Sequence, residues 1–239
     1  MRYYLLVLLL MSGMFPYFHF SSAQSAKYVV LKMDDIIAGS EGAIISERWQ
    51  RVSDFFQDRN MKAAFGIIGF SLLKNIPEYF NWITQRASTD NIEFWNHGFL
   101  RRTQNDSLGE FERSFEEQLN SLRMTDSLAN VKLGVKLTAW GPHWSEVNEY
   151  TDLALSKIPQ IKITFGFPQN PVFFKGVVIP YKISLEYPTH NPNFEAFKAN
   201  YLNKKDELDF FYLQGHPMSW DDTRWDNFVK VIEFLESEN

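Results

Sequence analysis

The sequence predicts a parallel α/β fold, and three observations carry that prediction. Short apolar runs alternate with stretches of helical periodicity from residue 28 onward. No Gly/Ser linker, repeat or low-complexity tract interrupts residues 27–239, so this stretch reads as one domain. Polar residues of catalytic type stand directly after the apolar runs, where parallel α/β folds gather their active groups. A barrel and an open doubly wound sheet both fit the pattern.

The elements follow in order. Residues 1–23 read as a secretory signal: Arg2 is the positive start, Leu5 to Met11 the apolar run, and Ser21-Ser22-Ala23 the small-residue cleavage site. Ser12, Gly13 and Pro16 interrupt the run, which falls short of the about 20 continuous apolar residues of a spanning helix. The expectation is cleavage after Ala23, no stable membrane span, and export to a bacterial periplasm or beyond, with residues 24–239 as one domain. Tyr28 to Met33 is a strand. Ile45, Trp49, Val52 and Phe56 fall at helical spacing. Ala63 to Ile68 is a second strand, and Ile76, Phe80 and Ile83 mark a second helix. Ile92 to Asn96 is a third strand. Ser107-Leu-Gly-Glu110 reads as a capping box that opens a helix bearing Phe111, Phe115, Leu119 and Leu122. Val131 to Trp140 is strand-like, with a helix from about Ser145. Ile161 to Phe165 and part of Val172 to Ile179 alternate as strands do, and Phe194 to Leu202 is helical. Leu208 to Leu213 is a last strand, and Ser219 caps a final helix with Trp225, Phe228, Ile232 and Leu235 inward.

Composition narrows the chemistry. Lys plus Arg is 24 against 29 Asp plus Glu, a net charge of −5, which argues against a nucleic-acid binder with a broad basic face. There is no Cys, which excludes disulfides, thiolate zinc sites and Cys nucleophiles. Any metal must sit on His, Asp, Glu or other oxygen donors. Aromatics make up 16%, a share that both cores and sugar-stacking surfaces use. No nucleophile elbow and no Gly-rich phosphate loop occurs.

Four strand ends carry candidate groups. Asp34-Asp35 follows the first strand, Asn96-His97-Gly98 the third, Gly141-Pro142-His143 the fourth run, and Gly215-His216-Pro217 the last. Each motif alone has an ordinary reading: Asp pairs make turns, and lone histidines, His190 among them, make structural hydrogen bonds. Together they suit a hydrolytic metal site. One carboxylate and imidazoles hold an ion that activates water, a second carboxylate takes a proton, and a separate His gives one.

Five stretches resemble the polysaccharide deacetylase superfamily, the NodB-homology group. They are Tyr28-Val-Val-Leu-Lys-Met-Asp-Asp35, Ala64-Phe-Gly-Ile-Ile-Gly69, Glu93-Phe-Trp-Asn-His-Gly98, Ala139-Trp-Gly-Pro-His143 and Phe210-Phe-Tyr-Leu-Gln-Gly-His-Pro217. The resemblance implies a single-domain distorted (β/α) barrel with about seven strands. It also implies metal-dependent removal of N- or O-acetyl groups from carbohydrate, with an acetylated glycan as partner. Carried over, Asp34 is the catalytic base, Asp35 and His97 are metal ligands, His216 is the general acid, and the divalent ion is zinc. Such sequences usually place a second metal His four residues after the first, and here that position is Arg101. Arginine does not ligate, and its guanidinium would compete with an ion for Asp35. His143, on another loop, is the candidate replacement ligand. The alternative is a catalytically impaired protein that binds carbohydrate at the barrel mouth, with Trp95, Phe99, Trp140, Trp144 and Trp220 as possible sugar platforms.

Overall fold

A computed structural model describes residues 28–39, 44–89, 91–100, 105–179, 183–207 and 210–238. The expected secretory signal of residues 1–23, and Arg101, lie outside the described residues. No described helix is long and apolar enough to cross a membrane.

Among the described residues seven strands and six α-helices alternate, except that β6 follows β5 directly. They are β1 (Tyr28–Ile36), α1 (Glu47–Asp58), β2 (Ala63–Ile67), α2 (Pro77–Ala87), β3 (Ile92–Asn96), α3 (Phe115–Leu133), β4 (Ala139–Trp140), α4 (Tyr150–Ser156), β5 (Ile163–Phe165), β6 (Val177–Ile179), α5 (Phe194–Lys204), β7 (Phe210–Gly215) and α6 (Asp222–Ser237). All neighbouring strands pair in parallel, in the order β6-β5-β4-β3-β2-β1-β7. The sheet curls into a nearly closed barrel ringed by helices, the distorted (β/α) barrel expected from the resemblance. Among the described residues no ladder joins β6 to β7, and the barrel is split there.

Strand alternation sorts the side chains into two layers. Leu31, Met33, Phe65, Ile67, Phe94, Phe211 and Leu213 point outward and meet the helices. Trp49 and Phe56 of α1 and Phe228 of α6 fill this layer. Trp49 meets Phe65 edge-on at 4.9 Å, and Phe65 meets Phe94 at 5.9 Å. Much of the aromatic excess is therefore core. The alternate residues point into the lumen, which holds Ala64, Trp95, Ala139, Phe165, Ile179 and Tyr212. Lys32 and Asp34 share this inward face with them.

The helix boundaries differ from the sequence reading at four places. Ser107 does not open α3. The cap is Ser114, which accepts from Glu117 N while Glu117 accepts from Ser114 N, a closed capping box. Val131 to Leu133 is the last turn of α3, not a strand. Gly134 ends the helix at φ +66°, a left-handed cap that glycine adopts without strain, so β4 shrinks to two residues. Asp221, not Ser219, caps α6 and accepts from Arg224 N. The expected helix from about Ser145 begins at Tyr150.

Gly66 of β2 ties the lumen packing to one atom. A Cβ there would lie 2.4 Å from the Trp95 ring. Gly66→Ala is expected to destabilise the fold by about 1–3 kcal/mol through overpacking. The measurement is the denaturant midpoint, and an unchanged midpoint contradicts this packing.

Candidate active site at the barrel mouth

The carboxyl ends of β1, β3, β4 and β7 bring the sequence candidates together. Asp34, Asp35, His97, His143, His190 and His216 line one cleft of about 670 Å³.

Asp34 and Asp35 reach this cleft by different routes. Adjacent strand residues normally point to opposite faces. The pairing of β1 with β2 slips between Met33 and Ile36, a bulge, and Asp35 takes φ +69°. That turn swings Asp35 to the same mouth as Asp34. Its Oδ1 lies 3.2 Å from His97 Nε2 and 3.6 Å from His143 Nε2. This oxygen is buried and has no hydrogen-bond partner.

The two imidazoles are held in one tautomer each. His97 Nδ1 stands 2.9 Å from the Gly141 carbonyl, and His143 Nδ1 3.3 Å from the Leu100 carbonyl. A carbonyl only accepts, so each Nδ1 carries a proton, and each ring turns its Nε2 toward Asp35. Burial, with the charge of His97 second, pushes His143 down to about 4, so it is neutral near pH 7. Burial raises the Asp35 carboxyl, but the His97 contact and the charges of His97, His143 and His216 outweigh it and hold the group below the usual carboxylate range. Two imidazole nitrogens and one carboxylate oxygen thus converge.

Among the described residues no three His, Asp or Glu side chains stand at closed ligating geometry. The trio is gathered rather than closed. Its O–N separations of 3.2 and 3.6 Å nonetheless bracket the spacing of donors on a tetrahedral zinc ion, about 3.3 Å. The donor types, two imidazoles and a carboxylate, and the orphaned Asp35 oxygen fit a divalent cation.

The proton-handling groups flank the trio. Asp34 is almost fully buried. It accepts from Lys32 Nζ at 2.5 and 2.6 Å and from Gln214 Nε2 at 2.9 Å. His216 Nε2 lies 3.9 Å from Asp34 Oδ2. The other ring nitrogen, Nδ1, meets Glu186 Oε2 at 2.6 Å. Burial lowers the His216 pKa, but the Glu186 hydrogen bond and the charge of Asp34 reverse this, and the net direction is upward. Glu186 also accepts from His216 N, His190 N and Trp220 Nε1. His190 packs its ring 4.5 Å from His216 and meets Ser219 Oγ at 3.2 Å.

Sequence reasoning missed Glu186, Lys32 and Glu110. Glu186 sits on an irregular stretch between β6 and α5. Lys32 lies inside a strand, where a lysine reads as a solvent-facing residue. Glu110 was assigned to a helix cap. It is instead buried and accepts from the backbone N–H of Phe99 and Leu100 and from Ser121 Oγ. It thereby pins the loop after His97. Burial raises its pKa against those three bonds. Asn96 has a structural task too: its side chain accepts from Gly98 N and donates to the Leu122 carbonyl and to Asp126 Oδ1.

The aromatic candidates separate cleanly. Trp95, Phe99, Trp140 and Trp220 are buried, and only Trp144 is half-exposed at the cleft. Trp144 adopts φ +70°, an unusual state for a large residue and of the kind found at functional sites.

In sequence, no family model matches the chain and no curated protein matches it. Solved structures do match. A family 4 acetyl xylan esterase from Clostridium thermocellum, in complex with a cobalt ion, aligns at TM-score 0.59 and 15% identity over 88% of this chain and 85% of that one. The peptidoglycan deacetylase PdaC from Bacillus subtilis aligns at TM-score 0.55 and 15% identity over 90% and 85%. A CE4 family pseudoenzyme from Bacillus anthracis aligns at TM-score 0.57 and 14% identity, over 90% of this chain and 63% of that one. The chain has the fold of the NodB-like polysaccharide deacetylases.

Asp126 supports the His97 loop at an electrostatic cost. Burial, opposed by the Asn96 and Gln160 bonds, raises its pKa to about 6. The folded state then binds a proton more tightly than the unfolded chain. Stability from this group is present below about pH 4 and lost as pH rises to about 6. Relative to Asp126→Asn, the wild type should lose on the order of 3 kcal/mol between those limits and nothing further above them. Denaturant unfolding of both proteins across pH 4–7 checks this, and a constant gap contradicts it.

Proposed function

We propose that this protein is a divalent-metal-dependent hydrolase that removes acetyl groups from carbohydrate, with zinc as the ion. The observation that carries the reading is the convergence of Asp35 Oδ1, His97 Nε2 and His143 Nε2 beside Asp34 and His216. The structural neighbours named as an acetyl xylan esterase and a peptidoglycan deacetylase support the substrate class.

Asp35, His97 and His143 would hold the ion. A divalent cation there supplies Lewis-acid polarisation of the acyl carbonyl and lowers the pKa of water. The chain's own residues do the rest. Asp34 accepts the proton of the attacking water. Glu186 fixes His216 at Nδ1, so that Nε2 points into the cleft and delivers a proton to the departing amine or alkoxide. Trp144 offers an apolar face to a sugar ring beside His143. The acidic chain, read with its amino-terminal apolar segment, fits action on a neutral exported glycan.

A second reading, carbohydrate binding without hydrolysis, rests on Arg101 in the sequence and on the pseudoenzyme among the neighbours. Zinc titration by calorimetry and acetate release from acetylated xylan and chitin oligosaccharides separate the two. The hydrolase reading expects zinc binding, and acetate release that a chelator abolishes. His143→Ala should weaken zinc binding by about 100-fold or more, the loss of one of three protein ligands. Zinc binding that is unchanged in His143→Ala overturns the ligand assignment. If the wild type binds no zinc and Arg101→His creates binding, the second reading stands.

Trp144→Ala tests the platform. KM should rise about 2–10-fold with kcat nearly unchanged, the effect of losing one stacking contact. A fall in kcat alone would place Trp144 in the chemistry instead.

A further inference from the structure

The barrel lumen holds a charge for which the mechanism above has no use. Lys32 lies two residues before Asp34 on β1, so both point inward. Lys32 is 3% exposed and Asp34 1%. The Lys32 ammonium sits 4.7 Å from the centre of the Trp95 ring, 5.7 Å from Phe165 and 6.0 Å from Tyr212. Those rings come from β3, β5 and β7, so the cation is enclosed from three sides. Burying an ammonium this deeply is costly unless a carboxylate pairs with it, and here both Asp34 oxygens do.

The pairing also constrains Asp34 from below. Lys32 contacts both oxygens, and Gln214 donates to Oδ2. On the cleft side, Asp34 Oδ2 lies only 3.5 Å from His97 Nε2. A carboxylate that close to a divalent cation is strongly attracted to it in a low-dielectric site. If it rotated onto the cation, it would become a fourth protein ligand and cease to be a base. A single amide bond from Gln214 would not resist that pull, whereas a buried ammonium touching both oxygens would.

We propose that Lys32 is a positioning residue that holds Asp34 back from the metal and keeps its carboxylate free to accept the proton of water. The inference rests on the metal reading above. It makes Lys32 lower the affinity for the ion while raising turnover. A lysine that merely stabilised the barrel would do neither: its loss would reduce both.

Zinc calorimetry on the full chain, with acetate release in parallel, tests this. Lys32→Met should bind zinc about tenfold more tightly than wild type, and its acetate release should fall about 100-fold or more. Cobalt(II) bound to Lys32→Met should show a visible absorption spectrum altered by an added carboxylate ligand. Where Lys32→Met does not fold, because Asp34 is left buried and unpaired, Asp34→Asn and the double variant Lys32→Met/Asp34→Asn decide. Asp34→Asn leaves the ammonium unopposed beside the ion, so it should bind zinc about tenfold more weakly than the double variant. Weaker binding by Lys32→Met, or equal affinities for Asp34→Asn and the double variant, overturns the role of Lys32 while leaving the metal reading intact. A wild type that binds no zinc overturns the metal reading, and this inference falls with it.

Discussion

Two adjacent carboxylates on a strand face opposite ways unless the strand breaks its alternation. The site depends on that break at the end of β1. Up to Asp34 the strand is regular, which keeps Lys32 and Asp34 in the lumen and Leu31 and Met33 against the helices. At Asp35 the bulge and the positive φ release the chain from the pattern. One carboxylate stays anchored to the barrel interior, and its neighbour faces two imidazoles at the mouth. The two Asp residues differ in surroundings because one obeys the pleat and the other does not. A left-handed backbone at a non-glycine residue is unfavourable, so the surrounding contacts must hold it there.

The same logic of opposed anchoring runs around the rest of the cleft. His97, from β3, is oriented by the carbonyl of Gly141 beyond β4, and His143, from beyond β4, by the carbonyl of Leu100 beyond β3. The two loops thus orient each other's imidazoles. Glu110 locks the β3 loop again through two backbone N–H groups, and Thr125 of α3 donates to the Gly98 carbonyl. On the far side, Glu186 gathers His216, His190 and Trp220. Burial alone would keep such carboxylates protonated. Glu186, with its donors and the His216 charge, is driven below its ordinary value, while Glu110, where burial prevails, is driven above it. Glu186 is thus suited to orienting an imidazolium, and Glu110 to bracing a loop.

Much of this was legible in the sequence. Period-two and helical patterns located every strand at least in part, because burial of one face dictates them. The strand-end rule then picked out Asp34, Asp35, His97, His143 and His216, which the fold gathers into one cleft. Other features depend on long-range packing. A Ser-x-x-Glu pattern occurs at Ser107 as well as at Ser114, and only the tertiary demand for Glu110 beneath Phe99 decides between them. Val131 to Leu133 has strand-like composition, but it continues α3, whose Ala129 and Leu133 are buried in the core while Val131 stays exposed, so tertiary packing overrides local preference. Nothing in the local pattern marks Lys32 as buried, because lysine almost never enters a core without a partner, and its pairing with Asp34 exists only in the fold.

A linear motif and a folded site place donor atoms by different rules. A His pair four residues apart places both donors on one segment, so an Arg at the second place reads as a lost ligand. A cation responds only to where donor atoms lie and not to their spacing along the chain. β3 and β4 are paired at Asn96 and Trp140. His97 comes one residue beyond that rung and His143 three residues beyond it, and the loops after the two strands bring their rings to 5.2 Å between centroids. Parallel sheets let neighbouring loops face one point. Every strand ends at the same face, and each loop beyond it can supply a side chain to the same point. With His143 in reach of Asp35, the imidazoles that face that oxygen come from two loops, one after β3 and one after β4.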